Sequence, residues 1–439
     1  MSKILVYSSV TTPRIKYITD LVLGDLLGLE VTLTTDQEEF INSQEAKICY
    51  NNRHLSHDKE CLIVPYGLLN ERGLNNHQVN VIDFAGTKGL FPVYSSGSSL
   101  PFDIFSAAFY MVSRYEEYLP FIRDQHGRFP ASSTLASQKG FLQKPVVNIW
   151  AKELGKILHE LFPALKITSP AYKFVPTMDI DAAWAFRHKG FYRSIGGFLK
   201  DLWSFDMESF KRRYRSLLNI EADPFDSFDV MHKLHRKYGV RPLFFVLFSE
   251  YDEYDKNTPI SNMSFQKLIK SLADEGEVGI HPSYASNKNE NRLKQEIEAL
   301  SAVVHAEINS SRQHFLKLSF PGTYRNLIAN DIKHDYTMGF ASDTGFRAGI
   351  CTSFKWYDLE IERVTDLEVH PFAVMDGTLR DYLKIEAEGA MLKISPLIQS
   401  VKEAGGTFIT LFHNESLSNW RRWQGWVEVY EDILKEGVN

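Results

Sequence analysis

The 439-residue chain has no excess of basic charge: 49 lysines and arginines stand against 55 acids, for a formal net charge of −6. A nucleic-acid binder would show a basic stripe or domain. The one dense cluster, Lys211, Arg212, Arg213 and Arg215, is short and reads as a solvated helix face. Cysteine is scarce as well. Cys49, Cys61 and Cys351 have no paired spacing, which argues against a disulfide framework and a cysteine-built zinc site and suggests a reducing compartment. No run of 18 apolar residues occurs, so no membrane span is expected. The start, MSKILVYSSV, lacks a charged segment followed by a sustained apolar one, so the expectation is a cytoplasmic chain without a signal peptide. There is no internal repeat and no low-complexity tract.

What is present is enough apolar material for a large core, 44% of residues, on a chain longer than the ~250–300 residues at which one core stops growing. Two domains are expected, 1–168 and 169–439. The first reads as a small α/β unit, with strands near 3–9, 30–35, 61–65, 79–84 and 91–94 and helices over 14–27, 102–119 and 147–161. Within it Arg114, Glu116 and Glu117 read as an exposed helix face, and 124–140, rich in glycine, serine and other polar residues, as a long loop. No catalytic constellation is visible there. The second half alternates strand and helix: FVPTMDID, a helix near 225–238, RPLFFVLF, a helix near 264–275, EVGIH, a helix near 291–308, FLKLSF, and so on to FITLFH. Such alternation means a parallel sheet with right-handed crossovers, a barrel or an open doubly wound sheet. In a barrel, functional groups collect where strands end.

Several polar residues stand at such ends. In TMDID, Asp179 and Asp181 are two apart, so on a strand both carboxylates share one face, ~6.5 Å apart along the chain. Two carboxylates on an otherwise buried face repel unless a cation or a proton lies between them; a strand end simply leaving the core explains the pair as well. EVGIHPSY ends a strand at His281. SRQHF places Arg312 and His314 two apart, on one face if a strand begins there. DLEVHPFAVMDGTL carries His370 and Asp376, and FITLFHN ends on His413. Core packing accounts for one such residue more readily than for Asp and His recurring at successive strand ends. Neutral imidazoles with a carboxylate suit zinc or another first-row divalent metal.

These motifs resemble those of the metal-dependent polysaccharide deacetylases, carbohydrate esterases of family 4 type with a distorted seven-stranded (β/α) barrel. TMDID resembles their first motif, GIHPSY their metal-histidine motif, SRQHF their arginine motif and FITLFHN their last. The segment FDIFSAAFYMVSRYEEYLPFIRDQHGRFPASSTLA resembles an accessory domain that precedes one bacterial branch, so the likeness covers nearly the whole chain. It implies Asp179 as general base, Asp181 and His281 as metal ligands, Arg312 as the residue orienting the base and His413 as general acid. Asp376 is a candidate to fix the His413 tautomer. The implied cofactor is zinc, with cobalt, nickel or iron as alternatives. The implied partner is an N- or O-acetylated polysaccharide or glycan precursor. One departure stands out: the second histidine of the metal motif is replaced here by Tyr284 and Ala285. A third ligand must come from elsewhere; His314 is favoured and His370 held in reserve. Trp356 and Tyr357 are candidates for sugar stacking, though core packing is the better explanation. Two other functions are weighed: a carbohydrate-binding protein on a deacetylase scaffold with a weakened metal site, and an amidohydrolase for a small non-sugar amide.

Overall fold

The computed structural model describes residues 2–56, 59–95 and 97–439. The chain opens with a parallel sheet of β1 (Ser2–Ser8), β2 (Leu29–Thr34), β3 (Ala46–Tyr50) and β4 (Cys61–Ile63), in the order β2-β1-β3-β4. The first crossover helix, Pro13–Thr19, starts where its sequence dictates. Pro13 occupies the first turn, and the Thr12 side chain accepts from the Ile15 N–H. A hairpin of β5 (Val81–Phe84) and β6 (Thr87–Leu90) follows.

The expected helix over 102–119 is two pieces. Asp103 caps Ile104–Val112 by accepting from Phe105 and Ser106, and Arg114, in the left-handed region at φ 55°, breaks the run before Tyr115–Tyr118. Arg114 and Glu117 are buried, not exposed. Glu117 accepts from Arg114 Nε at 2.8 Å and from Arg347 Nε and Nη2 at 2.9 and 2.5 Å. Arg347 lies in the second half of the chain, so this turn faces a partner that a local sequence pattern does not reveal. Arg14 bonded to Glu362 and the Tyr17 hydroxyl donating to Lys355 O join the halves likewise, and one hydrophobic core runs through both.

The second half is a mixed α/β sheet of nine strands. In chain order they are β7 (Lys173–Ile180), β8 (Leu243–Val246), β9 (Glu277–Ile280), β10 (Ser310–Ser311), β11 (His334–Asp335), β12 (Phe354–Asp358), β13 (Arg363–Val369), β14 (Val374–Met375) and β15 (Thr407–His413). Their spatial order is β12-β13-β11-β10-β9-β8-β7-β15-β14, with β12 antiparallel and the rest parallel. The resemblance implies seven strands; the hydrogen-bonded ladder holds nine.

Alternation sorts the strand residues into two layers. Met178, Ile180, Phe244, Val246, Phe408 and Phe412 pack outward in the main core beneath the helices. Phe245, Ile409 and Leu411, of opposite parity, form an inner cluster with Tyr336, Phe372 and Met375. That cluster draws on β8, β14 and β15 and on the segments after β11 and β13, so the sheet curls until distant strands face one another. Arg312, just past β10, bonds Thr177 and Asp179 on β7, three strands away. In a flat sheet that would be ~14 Å, well beyond one side chain.

The expected strand FLKLSF is absent: His314–Leu316 is a 3-10 turn, and a helix begins at Gly322. Trp356 and Tyr357 are buried, the latter against Tyr17 and Phe109, which places both in the core. Among the described residues, no helix is long and apolar enough to cross a membrane.

Candidate functional site

The inner face of β7 carries Thr177 and Asp179, and Asp181 follows at the strand's end; the inner face of β15 ends on His413. With His281 after β9 and Arg312 and His314 after β10, these side chains line one cleft of about 280 Å³ or stand directly beneath it. The turn holding His314 is strained, since Phe315 and Leu316 have φ of 59° and 52°, each costing ~1–3 kcal/mol that the surroundings must offset. Arg128 contributes to that support. Its Nη1 donates to Phe315 O at 2.7 Å, its Nε to Asp124 at 2.7 Å and its Nη2 to the Tyr382 hydroxyl at 3.1 Å. Arg128 and Tyr382 also line the cleft, so the first half of the chain reaches the site through a segment in which no chemistry was expected.

Asp181 sits at the centre. His281 Nε2 lies 3.3 Å from its Oδ1 and His314 Nε2 3.5 Å from its Oδ2. Each spacing is close to the ~3.3 Å that separates neighbouring ligand atoms on a zinc ion with bonds of ~2.0–2.1 Å, with the two histidines approaching different oxygens of the carboxylate. Asp181, His281 and His314 form a group able to hold a metal ion. Two further observations fit a cation. Asp181 Oδ1 is buried without a hydrogen-bond partner. Both imidazoles are turned by their outer nitrogens: His281 Nδ1 pairs with Arg312 O at 2.5 Å, His314 Nδ1 with Asp255 Oδ1 at 2.8 Å. A carbonyl and a carboxylate only accept, so each Nδ1 carries the proton and each Nε2 is left as a donor to metal.

Burial opposes ionisation of Asp181, yet the charge of His314 and the close approach of both imidazoles outweigh it and hold its carboxyl well below the usual range. Burial likewise disfavours the His314 cation, but Asp181 and Asp255 overcome it and push the ring up to about 9. The negative potential that retains this proton would equally attract a metal ion in exchange for it. Asp255 had no sequence signal: it lies in a loop and meets His314 across 59 residues. Tyr284 N donates to it at 2.8 Å. The loop expected to supply a second histidine thus holds the carboxylate that orients the third.

On either side stand two paired groups. Asp179 Oδ1 accepts from Arg312 Nη1 at 2.9 Å, while its Oδ2 faces His281 Nε2 at 3.8 Å. Across the cleft, His413 Nδ1 bonds Asp376 Oδ1 at 2.8 Å, leaving Nε2 toward Asp181 Oδ2 at 3.8 Å. Burial works against the His413 cation, but Asp376, then Asp181 and Asp179, raise the ring well above its ordinary value.

His370 is not part of this group. Its Nε2 lies 3.1 Å from His334 Nδ1, and its ring stacks on Tyr336 at 4.4 Å. With Glu368, which pairs with His334 across β11 and β13, it forms a separate cluster of possible ligands. The chain leaves β13 through His370 and returns to the cleft five residues later, at Met375. The reserve ligand is therefore corrected.

Residues 4–163 match the model of a family of unknown function, DUF7033. No curated protein matches. Solved structures with a similar course include a protein from Mycobacterium smegmatis described as a polysaccharide deacetylase, at 13% identity and a TM-score of 0.39 over 60% of this chain and 84% of that one. A CE4-family pseudoenzyme from Bacillus anthracis matches at 12% and 0.30 over 61% and 66%. The polysaccharide deacetylase of Bacillus cereus matches at 11% and 0.28 over 59% and 87%. Likeness at this level says nothing of chemistry, which is argued below from the residues.

Proposed function

We propose that the protein is a metal-dependent deacetylase that removes acetyl groups from an N- or O-acetylated glycan or glycan precursor. One observation carries the reading: a carboxylate paired with arginine and an imidazole paired with carboxylate flank, in one cleft, a three-residue cluster able to hold a metal ion. On this reading 169–439 is a distorted barrel, its curled sheet enclosing the inner cluster, and 1–168 is an accessory domain docked on it.

A divalent ion, zinc in the first instance, held by Asp181, His281 and His314 would acidify water and polarise the acetyl carbonyl. Asp179, fixed by Arg312, takes the proton from the attacking water with the oxygen that Arg312 leaves free. The water oxygen bonds the acetyl carbon, and the carbon–nitrogen bond then breaks. His413 Nε2–H donates its proton to the departing amine, and acetate leaves. Asp376 fixes the tautomer that aims this proton into the cleft and stabilises the cationic ring. The missing second motif histidine does not leave the cluster one ligand short, because His314 stands in its place.

Acetate release from N-acetylglucosamine oligomers tests the reading. Activity lost to a chelator and restored by zinc supports it. Oligomer binding without acetate release at saturating zinc would favour the binding-protein reading instead.

A further inference from the structure

After β7 the chain departs from the barrel into a helical hairpin, Phe191–Trp203 and Met207–Leu217. Its inner side is well made. Phe198 packs edge-on against Phe210 at 5.1 Å, and Arg213 Nε donates to buried Asp201 at 2.7 Å. Its outer side is apolar and uncovered. Tyr192, Ile195, Leu199 and Leu202 recur at i, i+3, i+7 and i+10, one face of a helix, and all four are exposed. Phe191 and Met207 add to that surface, and Tyr192, Trp203 and Phe205 are each 89% exposed. Single exposed apolar residues are normal; a contiguous group of this kind marks an interaction surface.

Its surroundings indicate what it meets. Between 191 and 215 six lysines and arginines stand against three acids, in a chain whose net charge is −6. Of these, Lys200 and Lys211 are exposed, and Arg215 is exposed but paired with Glu221. The cores of protein–protein interfaces are depleted in lysine, whereas a helical face of aromatic and aliphatic residues bordered by lysine and arginine fits the boundary of a lipid layer, with tryptophan and tyrosine at headgroup level. The hairpin also adjoins the cleft: Arg421 Nη2 donates to Asp206 and Ser209, and the next residues, Arg422 and Trp423, line the cleft.

We propose that this hairpin docks the protein on a lipid surface bearing anionic headgroups, presenting the mouth of the cleft to substrates held at that surface. The inference rests on the hairpin and not on the acid–base chemistry, so either can fail without the other.

The test is co-sedimentation of the full chain with vesicles of phosphatidylcholine alone or with about one-third phosphatidylglycerol. The wild type should pellet with the mixed vesicles and bind the neutral ones at least about tenfold more weakly. Two variants should lose binding to the mixed vesicles by a similar factor: Leu199→Asn/Trp203→Ser/Phe205→Ser, and Lys200→Glu/Lys211→Glu. The second keeps the apolar face intact, so the test survives if the first misfolds; unchanged thermal unfolding certifies each. A wild type that stays in the supernatant with both vesicles, or variants that bind as well as it does, would overturn the proposal. So would a dimer that the triple variant dissociates while vesicles bind neither protein, which would assign the face to a second copy of the chain.

Discussion

Asp376 grips His413 at two points: Oδ1 bonds the ring Nδ1 at 2.8 Å and Oδ2 accepts from the backbone N–H at 2.7 Å. One buried carboxylate thus sets both where β15 ends and which nitrogen of the imidazole faces the cleft. Asp376→Asn keeps the shape but turns a donor toward a donor. Deacetylation should fall by ~10²-fold or more, and stability by ~1–3 kcal/mol, with zinc affinity unchanged. Equal activity in the variant would remove His413 from the acid role.

For the metal, calorimetric titration of zinc separates ligands from bystanders. His281→Ala and His314→Ala should each abolish tight binding. Asp255→Asn, which frees the His314 ring without removing it, should weaken binding by ~10–100-fold. His370→Ala should leave the Asp181 site as it was. A loss in that last variant would contradict the separation of the two clusters.

Glu117 holds two buried arginines, Arg114 and Arg347, one from each half of the chain. Glu117→Gln leaves guanidinium charge buried with too few acceptors and should cost ~3–5 kcal/mol, read as a shift of the denaturant midpoint. A shift below 1 kcal/mol would show that water reaches the pair.

Away from the site, burial depresses His235 to about 4 while its Nε2 pairs with the Tyr430 hydroxyl at 2.7 Å. Unfolded, the ring titrates near 6.5. Its folded value being lower, this residue's contribution is fully present above pH ~6.5 and is lost as pH falls toward 4, by ~3 kcal/mol in all. His235→Gln cannot charge, so the stability gap between variant and wild type should shift in favour of the variant by that amount between pH 7 and 4. A constant gap would show that the folded ring titrates normally.

Much of this site is legible in the chain because strand alternation is strict. Asp179 and Asp181 share a face with Thr177, and His413 shares one with Leu411, for the same reason. The parts not legible lie where no period applies. Arg312 and His314 do meet the site, but from a strained turn beyond a two-residue strand, and the apolar run FLKLSF is spent on that turn instead of on a strand. Asp255 and Arg128 come from irregular loops, and their partners are set by tertiary approach. Glu117 is buried where its local pattern suggests an exposed helix face, because its partner, Arg347, lies 230 residues away. His370 has the look of a ligand in sequence, yet pairing of His334 with Glu368 draws it to another cluster.

In the proposed mechanism Asp179 removes a proton from water beside a metal held by its neighbours. The most direct measurement is acetate release from N-acetylglucosamine oligomers by zinc-loaded wild type and zinc-loaded Asp179→Asn, with bound zinc quantified in both. The wild type should release acetate, both proteins should hold full zinc, and the variant should lose ~10²–10⁴-fold in rate. Undiminished release by Asp179→Asn, or none from the zinc-loaded wild type, would contradict that mechanism.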